Sequence, residues 1–300
     1  MSGWRELLGC FFARREELYG INRRNVELVY ANNARADYPM ADDKALCKDI
    51  LTTHGVPVPE TIALCEGLFA IKGALDAVAD RGDFVIKPAN SSQGNGILVI
   101  GKRAKENHWM ASGNRLMSRV ALHRHLANIV YGAFSSDLGD RAIIEERVDF
   151  HPELNAISGG GGSDIRVLTL DRIPFLSMLR VPTKQSLGRA NLHQGAIGVA
   201  IDLDSGKTTR ARIAGKSVDT HPDSGVSLIG IQIPDWPSIL ETSRAAAAAM
   251  PLGYLGVDIL VDAHRGPLVV EVNARPGLEI QNVSGFGIGR ALNERIDHAL

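Results

Sequence analysis

Three hundred residues bound the chain to one large domain or two smaller ones, each able to bury a core. Apolar residues make up 45 % and charged residues 22 %, the balance of an ordinary globular protein, and a formal net charge of −1 excludes a global field that would favour nucleic acid. The three cysteines, Cys10, Cys47 and Cys65, lack the number and spacing of a disulfide framework or a zinc site, which fits a reducing, cytoplasmic compartment.

The opening "MSGWRELLGCFFARREELYG" contains "LLGC", as a lipoprotein cleavage box does, but Arg5 and Glu6 interrupt the apolar run such a signal needs. It reads instead as an amphipathic helix near residues 4–19, and no segment is long enough to cross a membrane. A second short element, "NRRNVELVYANN", completes a leader of about 40 residues. Asp42 and Asp43 are N-cap candidates for a helix that sets Leu46, Ile50 and Leu51 on one face and stops at Gly-Val-Pro. A strand over 61–64 and a helix over 68–80 follow. "FVIKPANSSQGNGILVI" then places Lys87 on a strand before a glycine loop and a second strand, the reverse of a Walker loop, in which glycines precede lysine and a helix follows. Residues 113–131 carry a helical pattern, and "RAIIEERV" reads as a buried strand.

Four consecutive glycines in "NAISGGGGSDIRVLTL" mark a loop before a strand, and "IPFLSMLRVP" is its hairpin partner. After the polar loop "TKQSLGRANLHQGA" come a hairpin with an Asp-Ser-Gly turn, an alanine-rich helix in "WPSILETSRAAAAAM", and a final hairpin, "LGVDILVDAHRGPLVVEVNARPG". Alternating hairpins and helices point to an α+β class rather than a doubly wound parallel sheet. The expected division is a leader over 1–40, one lobe over 41–148 and another over 149–300.

The last hairpin carries the most chemistry. A turn centred on His264 and Arg265 sets Asp258 opposite Glu271, with Asn273 on the same face and Val257, Ile259, Val270 and Val272 on the other. Two facing carboxylates repel, and the hairpin itself offers no cation. A divalent metal relieves the repulsion, and all-oxygen ligation suits Mg²⁺ or Mn²⁺; the alternative is an exposed polar face of an edge hairpin.

Seven segments in order, "DDKALCKDIL", "FVIKPANSSQGNG", "IIEERV", "SDIRVL", "GRANLHQGA", "GVDIL" and "EVNARPG", resemble the ATP-grasp superfamily, and within it the branch of ribosomal-protein S6 and α-L-glutamate ligases. The resemblance spans roughly residues 42–285. It implies an ATP-grasp fold of two α+β lobes clasping ATP, with one or two Mg²⁺ at the phosphates. It matches Lys44 and Lys87 to the phosphate-binding lysines, and Ser92, Gly94 and Gly96 to a glycine flap. Glu145, Glu146, Arg147 and Val148 match the hinge at the adenine edge. Glu153 is chosen for the ribose hydroxyls, with Asp149 as competitor. Asp258, Glu271 and Asn273 match the metal ligands. Arg166, Arg189, Asn191 and Arg275 match positions near the transferred phosphate and acyl substrate, while His193 is left without a chemical role.

The activity so implied is ATP-dependent ligation of a carboxylate to an amine through an acyl phosphate, with glutamate or another amino acid as a substrate. Two alternatives stay open: a small-molecule kinase of the same fold, and a nucleotide-binding module without turnover. By the resemblance, most ligases of this type carry a larger domain before the first lysine, where about 40 residues stand here. The acceptor site, for a small molecule or peptide, is therefore expected to draw on the lobes, the leader, a second subunit or a partner protein.

Overall fold

The computed structural model describes residues 17–91, 94–135 and 139–299. The first helix, expected near 4–19, lies mostly outside them. The chain divides into two units, Asp42–Asp149, and Met1–Ala41 together with Phe150–Leu300. Each is built on one antiparallel sheet with helices, an α+β architecture.

In the first unit six strands, β1 (Thr61–Cys65), β2 (Phe84–Pro88), β3 (Leu98–Lys105), β4 (His108–Ala111), β5 (Arg115–Ser118) and β6 (Ala142–Glu145), lie in the order β1-β6-β2-β3-β4-β5. The apolar run Ala142–Ile144 suits β6 to its place between β1 and β2, where all four of its residues are buried. One face of the sheet packs Phe84, Ile86, Ile100, Trp109 and Ile144 against Leu122, Leu126 and Ile129. The last three lie on one side of helix α3 (Arg119–Val130), at the spacing of an amphipathic helix. Helix α2 (Ile71–Ala77) adds Ile71, Ala74 and Leu75 to the same core.

The opposite face holds helix α1 (Lys44–Thr53) through a small contact of Ala45 with Ala89 and Ile143. Asp43 caps α1, its Oδ1 accepting from the Ala45 and Leu46 amides at 3.0 Å. The buried residues of α1 are Ala45, Cys47, Lys48 and Leu51, whereas Leu46, expected inside, is exposed. The helical pattern expected over 113–131 starts only at Arg119. Residues 115–118 pair with β4, and Ser118 ends the strand by accepting from the Ala121 amide.

In the second unit seven strands, β7 (Asp164–Leu170), β8 (Ile173–Val181), β9 (Ile197–Ile201), β10 (Thr208–Ile213), β11 (Lys216–Ser217), β12 (Tyr254–Asp262) and β13 (Gly266–Asn273), lie in the order β11-β10-β9-β8-β7-β12-β13. Helices α4 (Pro152–Ser158), α5 (Trp236–Ala249), α6 (Glu279–Ser284) and α7 (Ile288–Ala299) complete it. Small alanines let α5 lie close to the sheet, and the Trp236 indole at its start donates to Leu203 O at 2.8 Å.

The described part of the leader is built into this unit. Asn33 Nδ2 donates to Tyr254 O and Ala274 O at 2.8 Å, and its Oδ1 accepts from the Tyr254 amide at 2.9 Å. Arg24 Nη1 reaches Pro276 O at 3.0 Å. The leader thereby satisfies backbone groups at the exit of β13 that no strand pairs. Among the described residues no helix is long and apolar enough to cross a membrane.

Candidate active site

In the first unit, β2 and β6 pair so that Val85 stands opposite Glu145 and Lys87 opposite Ile143. Lys87 and Glu145 are thus diagonal neighbours on the face that α1 covers. Their side chains meet at 2.7 Å, and Lys48, one turn along α1 from Lys44, reaches the other Glu145 oxygen at 2.6 Å. All three side chains are buried. Burial by itself raises the Glu145 carboxyl, but Lys87 and Lys48 outweigh it and hold Glu145 below its ordinary value. Burial is also the main influence on Lys48 and leaves its ammonium easier to deprotonate than usual, in spite of Glu145. Two cations on one carboxylate carry a net positive charge, suited to a polyanion.

Lys48 was not singled out in the sequence; its i,i+4 relation to Lys44 on a capped helix was the available signal. Lys44 lies elsewhere, its ammonium donating to Ser91 O at 2.6 Å and its amide to Ala89 O at 3.0 Å. Glu145, matched to the hinge at the adenine edge, gives its carboxylate to the two lysines.

The glycine loop is anchored at both ends. Asp140 receives the Asn90 amide and side chain, and the His125 Nε2–H donates to Gly96 O at 2.9 Å. Burial keeps the His125 imidazole below its ordinary pKa, hence neutral. Gly94 and Gly96 have φ of 73° and 76°. A Cβ on Gly96 would stand 2.7 Å from Pro88 and Phe134. Ser92 lies outside the described residues.

Along the hinge, Glu146 exchanges backbone and side-chain bonds with Glu60, accepting the Glu60 amide at 2.6 Å. Arg147 is exposed and Val148 buried. Asp149 is exposed, as is Glu153 in the first turn of α4.

In the second unit Asp258 does pair with Glu271, but by a different route. Asp262 Oδ1 accepts from the His264 and Arg265 amides, holding a three-residue turn in place of the expected two, so that Asp262 faces Gly266. A bulge then places Val269 opposite Ile259, leaves Val270 as the extra residue, and restores Asp258 to Glu271. Val269 therefore fills the core position expected for Val270, which is only half-buried.

The neighbouring strands supply Asp258 with the cations that its own hairpin does not offer. Arg166 stands opposite it on β7 and binds both its oxygens, at 2.7 and 2.6 Å. Arg180 on β8 pairs with Asp164 and extends to Asp258 Oδ2 at 2.7 Å. Burial alone would raise the Asp258 carboxyl, and the two guanidiniums reverse this and depress it. Burial dominates at Asp164, with Asp258 adding repulsion, so that carboxyl is raised. Arg180 and Asp164 were missed, although their alternation with Arg166 was visible once β7 and β8 were read as a hairpin.

This bears on a metal. Asp258 is saturated by guanidiniums, its side chain 2 % exposed, and takes a cation only by giving up an arginine contact. Glu271 and Asn273 are half-buried at the end of β13 and fit an oxygen-ligated cation. Asn273 turns its amide nitrogen to Asp258 at 3.4 Å, which points its carbonyl oxygen away.

Of the remaining candidates, Arg189 is exposed and donates to Gln194 Oε1 at 3.3 Å, while Asn191 Oδ1 accepts the His193 amide. The Arg275 guanidinium lies over the Tyr38 ring, 4.9 Å from its centroid.

A model of the sugar-transfer associated ATP-grasp proteins matches residues 23–297. The chain belongs to that family, so the ATP-grasp architecture expected from the sequence holds. It is similar, at 27 % identity over 291 residues, to a probable alpha-L-glutamate ligase of Maridesulfovibrio salexigens, with 96 % of this chain and 71 % of that protein covered. A second, from Sodalis glossinidius, is 27 % identical over 260 residues, covering 83 % of this chain and 62 % of its own length. Among solved structures, D-alanine–D-alanine ligase from Bacillus anthracis complexed with ATP aligns at a TM-score of 0.45 and 14 % identity, over 86 % of this chain and 66 % of that one. The chain thus spans less than two thirds of some of the proteins it resembles.

Proposed function

We propose that this protein is an ATP- and magnesium-dependent carboxylate–amine ligase acting through an acyl phosphate. The observation that carries the reading is the fixed pair of ammonium groups, Lys48 and Lys87, on Glu145 in a chain of ATP-grasp family membership. In this reading Lys48, Lys87 and the amides of the glycine loop, Ser92 included, neutralise the ATP phosphates, with Lys44 fixing the start of the loop. The backbone from Glu145 to Val148 meets the adenine edge, and Glu153, or Asp149, meets the ribose. Glu271 and Asn273 hold Mg²⁺, with Asp258 joining them when an arginine releases it; Mn²⁺ suits the same oxygens. When bound, the metal neutralises charge on the phosphates.

A carboxylate oxygen attacks the γ-phosphorus of ATP, and the bond from that phosphorus to the bridging oxygen breaks, expelling ADP. An amine then adds to the acyl carbon, loses a proton, and displaces phosphate to leave an amide. Arg275 and Arg189, with Asn191, are assigned to the acyl phosphate and the oxyanion formed on it. Arg166 acts through Asp258. The relatives named alpha-L-glutamate ligases support glutamate or another amino acid as one substrate. The acceptor, a small molecule or a peptide, is completed where needed by a second subunit or partner. Buried free thiols at Cys47 and Cys65 support a reducing, cytoplasmic setting.

The test is ADP and phosphate release with Mg²⁺ and ATP against a panel of amino acids, amino-acid pairs and, given the family's association with sugar transfer, amino sugars. The expected result is turnover that needs both an acid and an amine and yields an amide, abolished in Glu271→Ala with the fold retained. Release of AMP and pyrophosphate, or a stable phosphate ester as product, would discard ligation.

A further inference from the structure

One cavity lies wholly within the second unit, about 590 Å³ in volume, between the loop after β8, the β10–β11 turn and helix α6. Its lining includes Gln185, His193, Arg212, Glu279, Asn282 and Val283. Two opposite charges line it without meeting. Arg212 donates through Nη1 to Asn282 O at 3.4 Å and through Nη2 to Gly215 O, while its Nε–H has no partner. Among the described residues no carboxylate pairs with Arg212. Glu279 makes a hydrogen bond with the Asn282 side chain at 3.2 Å and has no cationic partner among the described residues.

The guanidinium is also held in place. Its Gly215 contact belongs to a two-residue turn in which Ala214 and Gly215 both have positive φ, 46° and 79°. A non-glycine residue in that region is uncommon and costs free energy, so the turn that fixes Arg212 is maintained against strain. Also on the lining, Gln185 packs where a Cβ on Gly195 would stand 2.8 Å from it. Glu279 begins α6 six residues after Asn273, which ties the cavity to the β13 carboxylate site through a short stretch of chain.

A pre-set cation and a carboxylate without a cationic partner, both beside Asn282 on the lining of one cavity, match a zwitterion. We propose that this cavity binds a free α-amino acid, its carboxylate on Arg212 and its ammonium on Glu279, with the remaining volume taking the side chain. The assignment rests on the ligase reading for its purpose and gives the amino-acid substrate of that reading its binding residues. An α-carboxylate held by Arg212 is not the group activated, so the amino acid enters as the amine or reacts through a side-chain carboxylate.

The test is calorimetric titration of the full chain, without nucleotide, using L-glutamate, L-lysine and L-phenylalanine, each also as its N-acetyl and carboxamide form. At least one free amino acid binds, and blocking either end weakens binding about tenfold or more, the scale of one charge-assisted contact. Glu279→Gln weakens the free amino acid by about the same factor and leaves the N-acetyl form unchanged, a readout that general misfolding would not give. Arg212→Lys, which loses the backbone anchors, weakens both. No binding by any free amino acid at roughly 10 mM, or equal binding of the blocked forms, overturns the proposal. Amino-acid binding without ADP release under any condition removes the ligase and keeps the cavity's assignment. Turnover undiminished in both variants removes the assignment and keeps the ligase.

Discussion

Asp258 and Arg166 face each other on adjacent strands, and the guanidinium grips both carboxylate oxygens, at 2.7 and 2.6 Å. With Asp164 and Arg180 they form a neutral group of four on one face of the second sheet. Removing either arginine leaves a buried carboxylate short of a partner. Arg166→Met is therefore expected to destabilise the protein by about 3–5 kcal/mol, and adding Asp258→Leu to recover part of that loss. Urea unfolding of the two single variants and the double variant measures this; additive losses would mean the pair is not coupled.

The Lys48–Glu145–Lys87 cluster makes an acid-side prediction. The folded Glu145 pKa lies below the 4.5 of an ordinary glutamate, so the unfolded chain binds the proton more readily in the window between the two values. The stability that Glu145 contributes is complete above that window and is lost as pH falls through it. Glu145→Gln should be less stable near neutrality, by about 2–4 kcal/mol, with a shallower loss on acidification. Thermal melts from pH 3 to about 7 test it; parallel curves for both proteins would remove the cluster's electrostatic role.

Gly96→Ala puts a methyl group within 2.7 Å of Pro88 and Phe134, at a φ of 76°. A loss of about 1–3 kcal/mol in stability is expected, together with weaker ATP binding, because the loop end is displaced. Gly113, also at positive φ but with open space at its Cβ, is the control, and Gly113→Ala should cost less and spare nucleotide binding.

Asn33 joins the leader to the backbone of Tyr254 and Ala274 by three bonds. Asn33→Ala should cost about 2–4 kcal/mol. Hydrogen exchange should rise at Tyr254 and along the Ala274–Pro276 segment ahead of α6, more than in β8. A uniform rise would mean that Asn33 supports the whole unit instead of this exit.

Much of the fold was legible because its signals are local. Asp43 as a cap, the Asp-Ser-Gly turn, the alanine-rich helix and the Lys87 hairpin each depend on residues close in sequence. The paired positions Asp258 and Glu271 were also legible, although the turn and bulge that produce the pairing were not: the Asp262 side chain holds a three-residue turn, one residue longer than expected, and the bulge at Val270 compensates. Leu46 and residues 115–118 went astray because burial and strand pairing there are decided by β6 and β4, not by periodicity.

The sequence by itself determined the class of the protein. Lysine, glycine loop, hinge and terminal carboxylates follow in one order along the chain, and their backbone settings are short-range. What only the tertiary structure decided is which charges meet. Lys48, Glu145 and Lys87 come from α1, β6 and β2, and Asp258 takes its partners from β7 and β8. A buried charge must be paired where it lies, and strand order, which no local pattern encodes, chooses the partner.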